Sequence, residues 1–136
     1  PRLPMYFDFV QDSTHISGRK WADTAFNSVM DVYNFPDKQM DGSVISSPNI
    51  VGIQANVWTE TIASEKRLDY MLFPRLAAMS EAGWTAPAVK DTTKFKEKLK
   101  GELKLYNKKG IYYYDPFHPE VHPEAIDYAP HPKIKD

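Results

Sequence analysis

The sequence has no cysteine among its 136 residues. Disulfide bonds, thiolate metal sites and cysteine nucleophiles are therefore excluded, although the cellular compartment stays open. No apolar run approaches the ~18 residues that a membrane-spanning helix needs, so we expect no membrane partner. Neither sign of charge dominates, because the formal net charge is −1, and this balance predicts no nucleic-acid partner.

What the sequence does contain is typical of folded globular protein. Hydrophobic residues make up 42% of the chain and charged residues 26%, which is not the composition of a disordered segment. The length corresponds to one domain with a core of modest size.

Residues 50–60 predict the strand around which the rest of the chain is organised. One face of this period-2 pattern is uniformly apolar and consists of Val51, Ile53, Ala55 and Val57. The other face ends in Trp58 and Glu60, which point the same way because they are two residues apart. A flat ring beside a carboxylate suits a sugar, since the ring covers the C–H face and the carboxylate accepts hydroxyl hydrogen bonds. The alternative is a core tryptophan followed by a surface glutamate.

Residues 3–10 predict a second strand, buried on both faces as in a parallel sheet. Tyr6, Asp8 and Val10 share one face of it. A carboxylate in such an apolar run is costly to bury unless it is paired or faces a wet cleft. Asp8 is therefore either a site residue or a strand-end carboxylate that binds backbone N–H groups or an arginine.

Helix signals follow both predicted strands. Residues 28–31 fit a helix-start box, and residues 39–49 resemble a surface loop. Apolar residues then recur at helical spacing over 68–82, after a plausible helix start at 63–65. Pro74 lies inside this pattern, so it either kinks one helix or begins a second.

A last helix is predicted between Asp91, which can cap it, and Gly110, which can end it. Its apolar stripe consists of Phe95, Leu99, Leu103 and Tyr106. The opposite face is rich in lysine, but Glu97 and Glu102 interrupt it and no aromatic residues are interleaved. We interpret this face as a solvated helix surface rather than a nucleic-acid site.

Residues 115–136 contain many prolines, which predict a meandering tail or a linker to a further domain. Two short motifs in this segment, His118-Pro-Glu120 and His122-Pro-Glu124, could suggest a metal site. The prolines break the helix that would align the two histidines, and no third ligand is evident. We therefore expect neither a metal nor another cofactor.

The segment 52–60 and the residues after it closely resemble a known enzyme family. Gly-Ile-Gln-Ala-Asn-Val-Trp-Thr-Glu, followed by residues 70–78 and 81–84, resembles the last strand and helix of glycoside hydrolase family 20 β-N-acetylhexosaminidases. In that family the tryptophan lines the wall around the terminal sugar, and the glutamate binds its outer hydroxyls. The resemblance implies these roles for Trp58 and Glu60.

The triplet Tyr6-Phe7-Asp8 resembles a second motif of the same family, a Tyr-Leu-Asp at the end of the seventh barrel strand. There the tyrosine donates a hydrogen bond to the acetamido oxygen during catalysis, and the aspartate contacts outer hydroxyls of the sugar. The resemblance therefore implies that Tyr6 is catalytic as well as substrate-binding, and that Asp8 is substrate-binding.

The implied fold is α/β. Residues 1–114 would form the C-terminal portion of a (β/α)8 TIM barrel, made of its last two βα units and a terminal helix, and residues 115–136 a tail or linker. The implied partners are the remainder of the barrel and glycans that end in N-acetylglucosamine or N-acetylgalactosamine. Family members are commonly secreted, periplasmic or lysosomal, so the compartment is one of these by resemblance only.

The implied reaction removes a terminal non-reducing N-acetyl-β-hexosamine by substrate-assisted retaining hydrolysis. That mechanism needs an Asp-Glu pair at the end of an earlier strand, and no Asp-Glu doublet occurs in the sequence. We therefore expect the isolated chain to be inactive. We also expect it to self-associate, because part of a barrel leaves apolar surface and strand edges uncovered. Two alternatives are a non-catalytic carbohydrate-binding or scaffold module, and an unrelated α/β interaction domain.

Overall fold

A computed structural model of the chain describes residues 3–17 and 26–126. The helices are α1 (Val29–Tyr33), α2 (Gly42–Ile45), α3 (Glu65–Leu72), α4 (Arg75–Trp84) and α5 (Thr92–Lys109). Two short 3-10 helices cover Leu3–Met5 and Pro87–Val89. The last part of the predicted tail, residues 127–136, lies outside the described residues.

The helices begin and end where local sequence signals place them. Ser28 and Asp31 form the predicted capping box at α1, in which each side chain accepts from the other residue's backbone N–H. Asp91 caps α5 by accepting from two backbone N–H groups. Gly110 ends α5 in the left-handed region, with a φ of 72°. These predictions are confirmed.

The proline inside the third helical pattern divides that pattern into two helices. Pro74 lies directly before Arg75, the first residue of α4, while α3 ends at Leu72. Of the two options that the sequence left open, a second helix is correct. The predicted surface loop over 39–49 contains the short helix α2.

The two predicted strands are not formed as regular strands, and the described residues are mostly helical. The structure pairs Tyr6 with Asn56 in an isolated parallel bridge. The first residues of segment 3–10 form a 3-10 helix, and the amide of Phe9 donates to the Tyr6 carbonyl at 3.3 Å. The strand expected over 3–10 therefore ends in a turn at Phe7 and Asp8, because the Phe9 amide bonds back within its own segment instead of to a neighbouring strand.

The main core lies between α1, α4, α5 and the segment over residues 3–10. All four members of the predicted α5 stripe are buried, and the ring of Phe95 stacks on Tyr33 at 4.2 Å. Met5 and Phe7 belong to the same cluster and are fully buried. A smaller cluster joins α3 to the segment after α5 through Tyr70, Met71, Tyr114 and Ala125.

No helix among the described residues is long and apolar enough to cross a bilayer.

The same substitution at a glycine inside α5 and at the glycine that ends it should have opposite effects. Gly110→Ala should lower the free energy of unfolding by about 1 kcal/mol, because its φ of 72° disfavours a side chain. Gly101→Ala should raise it by roughly 0.5–1 kcal/mol, since Gly101 lies within the helix and a Cβ there meets nothing within 4 Å. Urea denaturation followed by circular dichroism measures both. Equal changes at the two positions would contradict the helix end seen here.

Candidate functional site

The segment over residues 3–10 and the segment over residues 50–60 lie side by side and run in the same direction. Asn56 donates its amide to the Met5 carbonyl at 2.8 Å and accepts from the Phe7 amide at 2.8 Å. These two bonds flank Tyr6, which is half-buried and packs edge-on against Phe9. Because the pairing is parallel, the chain leaves both segments at the same edge.

Trp58 and Glu60 follow Asn56 toward that shared edge. Trp58 is 53% exposed, so its side chain is accessible to a ligand. Glu60 is also exposed. The prediction of a core tryptophan is wrong for the chain by itself, and an accessible aromatic ring lies two residues from an accessible carboxylate.

Asp8 lies in the turn within the segment over residues 3–10 and is fully buried. Its negative charge stabilises the cationic form of the buried Arg75 guanidinium. Burial lowers the pKa of Arg75 to about 9 and Asp8 opposes that shift, so the guanidinium is cationic at neutral pH. The structure therefore buries Asp8 where its charge acts on an arginine, while Trp58 and Glu60 are exposed.

Arg75 holds the backbone around Asp8. Its guanidinium is fully buried and donates to the carbonyls of Phe7, Phe9, Asn27 and Met71. The guanidinium carbon also lies 4.7 Å from the centre of the Phe7 ring. Two of these carbonyls flank Asp8 directly, so the position of Asp8 depends on the first residue of α4.

Asn27 makes a second set of backbone contacts to the same turn. Its side-chain amide donates to the Tyr6 carbonyl at 3.0 Å, and its backbone amide donates to the Val10 carbonyl at 2.8 Å. Its own carbonyl accepts from Arg75 at 3.3 Å. Asn27, two residues before α1, therefore joins both ends of the turn to the buried arginine.

Sequence reasoning did not identify Arg75 or Asn27. A signal for Arg75 was present, because it falls on the buried stripe of the helix pair with Met71, Ala78 and Ala82, at spacings of four, three and four. A charged residue on such a stripe requires partners. No comparable signal marks Asn27, whose role depends on three separate segments meeting.

The two His-Pro-Glu motifs have different surroundings. His118 and Glu120 are both exposed, with 3.4 Å between Nδ1 and Oε1. His122 instead packs against Tyr113, and Glu124 pairs with Arg67. Within residues 3–17 and 26–126, no three histidine, aspartate or glutamate residues are grouped as a metal site.

The family profile described as "Glycosyl hydrolase family 20, catalytic domain" matches residues 1–87. The chain belongs to this family. Family 20 was also the prediction from the two sequence motifs, and that prediction is confirmed.

Relatives named as hexosaminidases match much of the chain. It is 31% identical over 112 residues to a β-N-acetylhexosaminidase of Cellulomonas fimi. It is 37% identical over 67 residues to a β-hexosaminidase of Porphyromonas gingivalis. These matches cover 82% and 49% of this chain, but 22% and 9% of the relatives. The chain therefore spans a small part of their length.

Solved family 20 structures have the same fold in the corresponding part. The chain superposes with a TM-score of 0.67 and 32% identity on an exo-β-N-acetylglucosaminidase of Vibrio harveyi, determined with N-acetylglucosamine, covering 83% of this chain and 18% of that one. The TM-score is 0.66, with 28% identity, for a β-N-acetylhexosaminidase of Streptomyces coelicolor, covering 82% and 22%. The chain is thus folded as a portion of a TIM-barrel catalytic domain.

Replacing Arg75 with an apolar residue of similar length should be strongly destabilising. Arg75→Met should lower the free energy of unfolding by about 3 kcal/mol or more, because the carbonyls that it binds and the Asp8 carboxylate lose a buried cation. Lys94→Met is the matched control, since the Lys94 side chain is 80% exposed and should change stability by less than about 0.5 kcal/mol. Urea denaturation measures both, and equal effects would refute the role of Arg75.

Proposed function

We propose that this chain is the C-terminal portion of the barrel of a β-N-acetylhexosaminidase, consisting of its last two βα units and a terminal helix. The observation that carries the proposal is the parallel pairing of Tyr6 with Asn56. It supports the proposal because two separate family motifs then end at one edge, as neighbouring strands of a parallel barrel do.

The substrate would be a glycan with a terminal non-reducing N-acetyl-β-hexosamine, cleaved with retention of configuration. In the substrate-assisted reaction, the acetamido oxygen attacks the anomeric carbon while a glutamic acid protonates the leaving oxygen. Tyr6 would donate its hydroxyl hydrogen bond to that acetamido oxygen. Trp58 would pack on the sugar ring and Glu60 would bind the outer hydroxyls. Asp8, which is fully buried in the chain by itself, would reach an outer hydroxyl only after its turn opened toward that edge.

The proton donor has to come from the part of the protein that precedes these units. The sequence has no Asp-Glu doublet, so the acid and the aspartate that orients the acetamide are not within these 136 residues. The isolated chain should therefore have no hexosaminidase activity, and the full-length protein should have it.

The rest of the barrel would also cover an apolar face of this chain. Val51 is 100% exposed and Trp84 is 91% exposed, and they lie in one groove with Ile53 and Met79. Exposed apolar surface of this kind marks a contact site. A whole barrel needs about 250 residues, so the remaining βα units are the occupant that we propose for this groove.

A second candidate function is a non-catalytic carbohydrate-binding module. The observation that favours it is the accessibility of Trp58 and Glu60 in the chain by itself. Titration with N-acetylglucosamine distinguishes the two functions, with Trp84→Ala as the control for loss of an exposed ring. Millimolar or tighter binding that Trp58→Ala abolishes would favour the module, and no binding would favour the barrel portion.

Glu60→Ala in the full-length protein should reduce kcat/KM for a chromogenic N-acetyl-β-glucosaminide by roughly 10- to 150-fold. This corresponds to about 1.5–3 kcal/mol, the range for a hydrogen bond to a charged group. Tyr6→Phe should reduce kcat by a similar factor, since it removes a donor to the attacking oxygen. Glu97→Ala is the control, because Glu97 pairs with Lys100 on the exposed face of α5. Unchanged kcat/KM in Glu60→Ala would remove Glu60 from the site.

The isolated chain should self-associate through the groove that the rest of the barrel would cover. Val51→Asp should shift it toward monomer in sedimentation velocity, because a charge in that groove opposes apolar contact. Val121→Asp is the control, since Val121 is 54% exposed and does not line the groove. A wild-type chain that is monomeric at all concentrations would contradict the prediction.

A further inference from the structure

The segment that follows α5 folds back onto the rest of the molecule. We call residues 111–126 the C-terminal segment; they lie beyond the residues that the family profile matches. Tyr113, Tyr114 and Ala125 are buried in it. The Tyr114 amide donates to the carbonyl of Phe73, between α3 and α4, at 3.2 Å. The described part of the predicted tail is therefore packed against the domain.

A single carboxylate joins this segment to the loop that follows the first motif. Oε1 of Glu124 accepts from the Ser17 amide at 3.1 Å, and Oε2 accepts from the Ile16 amide at 2.7 Å. Oε1 also pairs with the guanidinium of Arg67 at 2.9 Å. The side chain of Arg67 is fully buried and that of Glu124 is 10% exposed, so water screens this ion pair little.

Arg67 completes the connection from α3. Its guanidinium also donates to the carbonyls of Ser17 and Ala125. One buried ion pair therefore connects the loop to the C-terminal segment. Glu124 binds the N–H groups of Ile16 and Ser17, and Arg67 binds the carbonyls of Ser17 and Ala125. Removing one partner of such a pair leaves a buried charge without its counterion.

The rest of the loop over residues 11–17 is held by the same two elements. The Tyr114 hydroxyl donates to Asp12 at 3.1 Å. The His15 ring lies between Tyr114 and Tyr70, with 2.9 Å between Nε2 and the Tyr70 hydroxyl oxygen. The Gln11 side chain donates to the Tyr70 carbonyl. Each of these anchors comes from α3 or from the C-terminal segment.

This loop begins three residues after Asp8, at the edge where Trp58 and Glu60 also emerge. We propose that the C-terminal segment holds the loop over residues 11–17 at the sugar-binding edge, and that Glu124 is the positioning residue. The effect on catalysis rests on the proposed function, whereas the effect on the loop does not. Residues 115–126 then belong to the catalytic domain and are not a linker.

The chain contains its own control for this proposal. Glu120 has the same His-Pro-Glu context as Glu124 but is 73% exposed and contacts His118 at 3.4 Å. Glu124→Gln keeps the shape of the side chain and removes its charge, and Glu120→Gln makes the same chemical change four residues away. A general effect of charge or local sequence would therefore affect both variants equally.

The first measurement is hydrogen exchange of the full-length protein, followed by mass spectrometry of peptides from the loop and from α5. Glu124→Gln should accelerate exchange in the loop peptide by about tenfold or more, because the Ile16 and Ser17 amides lose a charged acceptor. In Glu124→Gln, exchange in α5 should match wild type. In Glu120→Gln, exchange in both peptides should match wild type. If Glu124→Gln unfolds the protein, Tyr114→Phe should accelerate hydrogen exchange in the loop peptide and leave exchange in α5 unchanged. Unchanged loop exchange in the folded variant would overturn the proposal.

The second measurement separates a positioning role from a purely structural one. Glu124→Gln should raise KM for a chromogenic N-acetyl-β-glucosaminide by roughly tenfold with a smaller change in kcat, because displacing the loop weakens sugar binding. Glu120→Gln should leave both constants unchanged. Faster loop exchange with an unchanged KM would overturn the positioning role. An inactive wild-type protein would refute the proposed function, and the exchange measurement would still decide how the loop is held.

Discussion

The buried guanidinium of Arg75 is the interaction on which the rest of the structure depends. It binds backbone carbonyls from the segment over residues 3–10, from Asn27 shortly before α1 and from the end of α3. Carbonyl groups turned inward in this way would be costly without a donor, and a cation in an apolar core would be costly without acceptors. Each group is therefore tolerated because the other is present. Asp8 adds a counter-charge to the same centre.

A second buried arginine has the corresponding role one helix earlier. Arg67 joins α3 to Glu124 and to the loop over residues 11–17, as Arg75 joins α4 to the turn at Asp8. The two helices therefore hold the first motif and the loop after it from opposite ends. Neither arginine is placed here as a substrate ligand. Their contribution is geometric, because they determine where the residues of the proposed sugar-binding edge can lie.

The features that the sequence predicted well depend on contacts between residues close in the chain. The capping box of Ser28 and Asp31, the cap at Asp91 and the stop at Gly110 involve neighbours within a few residues, so the local sequence specifies them. Strand formation depends on partners elsewhere, and the period-2 pattern of residues 3–10 could not show that the chain would turn at Tyr6. A pattern records which faces are apolar, but not how many neighbours a strand has.

For the site, the sequence by itself determined membership of family 20 and the identity of the candidate residues, because both depend on motifs read along the chain. Only the tertiary structure decided that Tyr6 pairs with Asn56, that Asp8 is buried where its charge acts on Arg75, and that Trp58 is exposed. It also decided that one His-Pro-Glu motif is exposed while the other closes a buried ion pair. The two motifs share the same residue types. They differ because the fold brings the distant Arg67 to Glu124 and excludes water from that pair, whereas Glu120 remains in solvent.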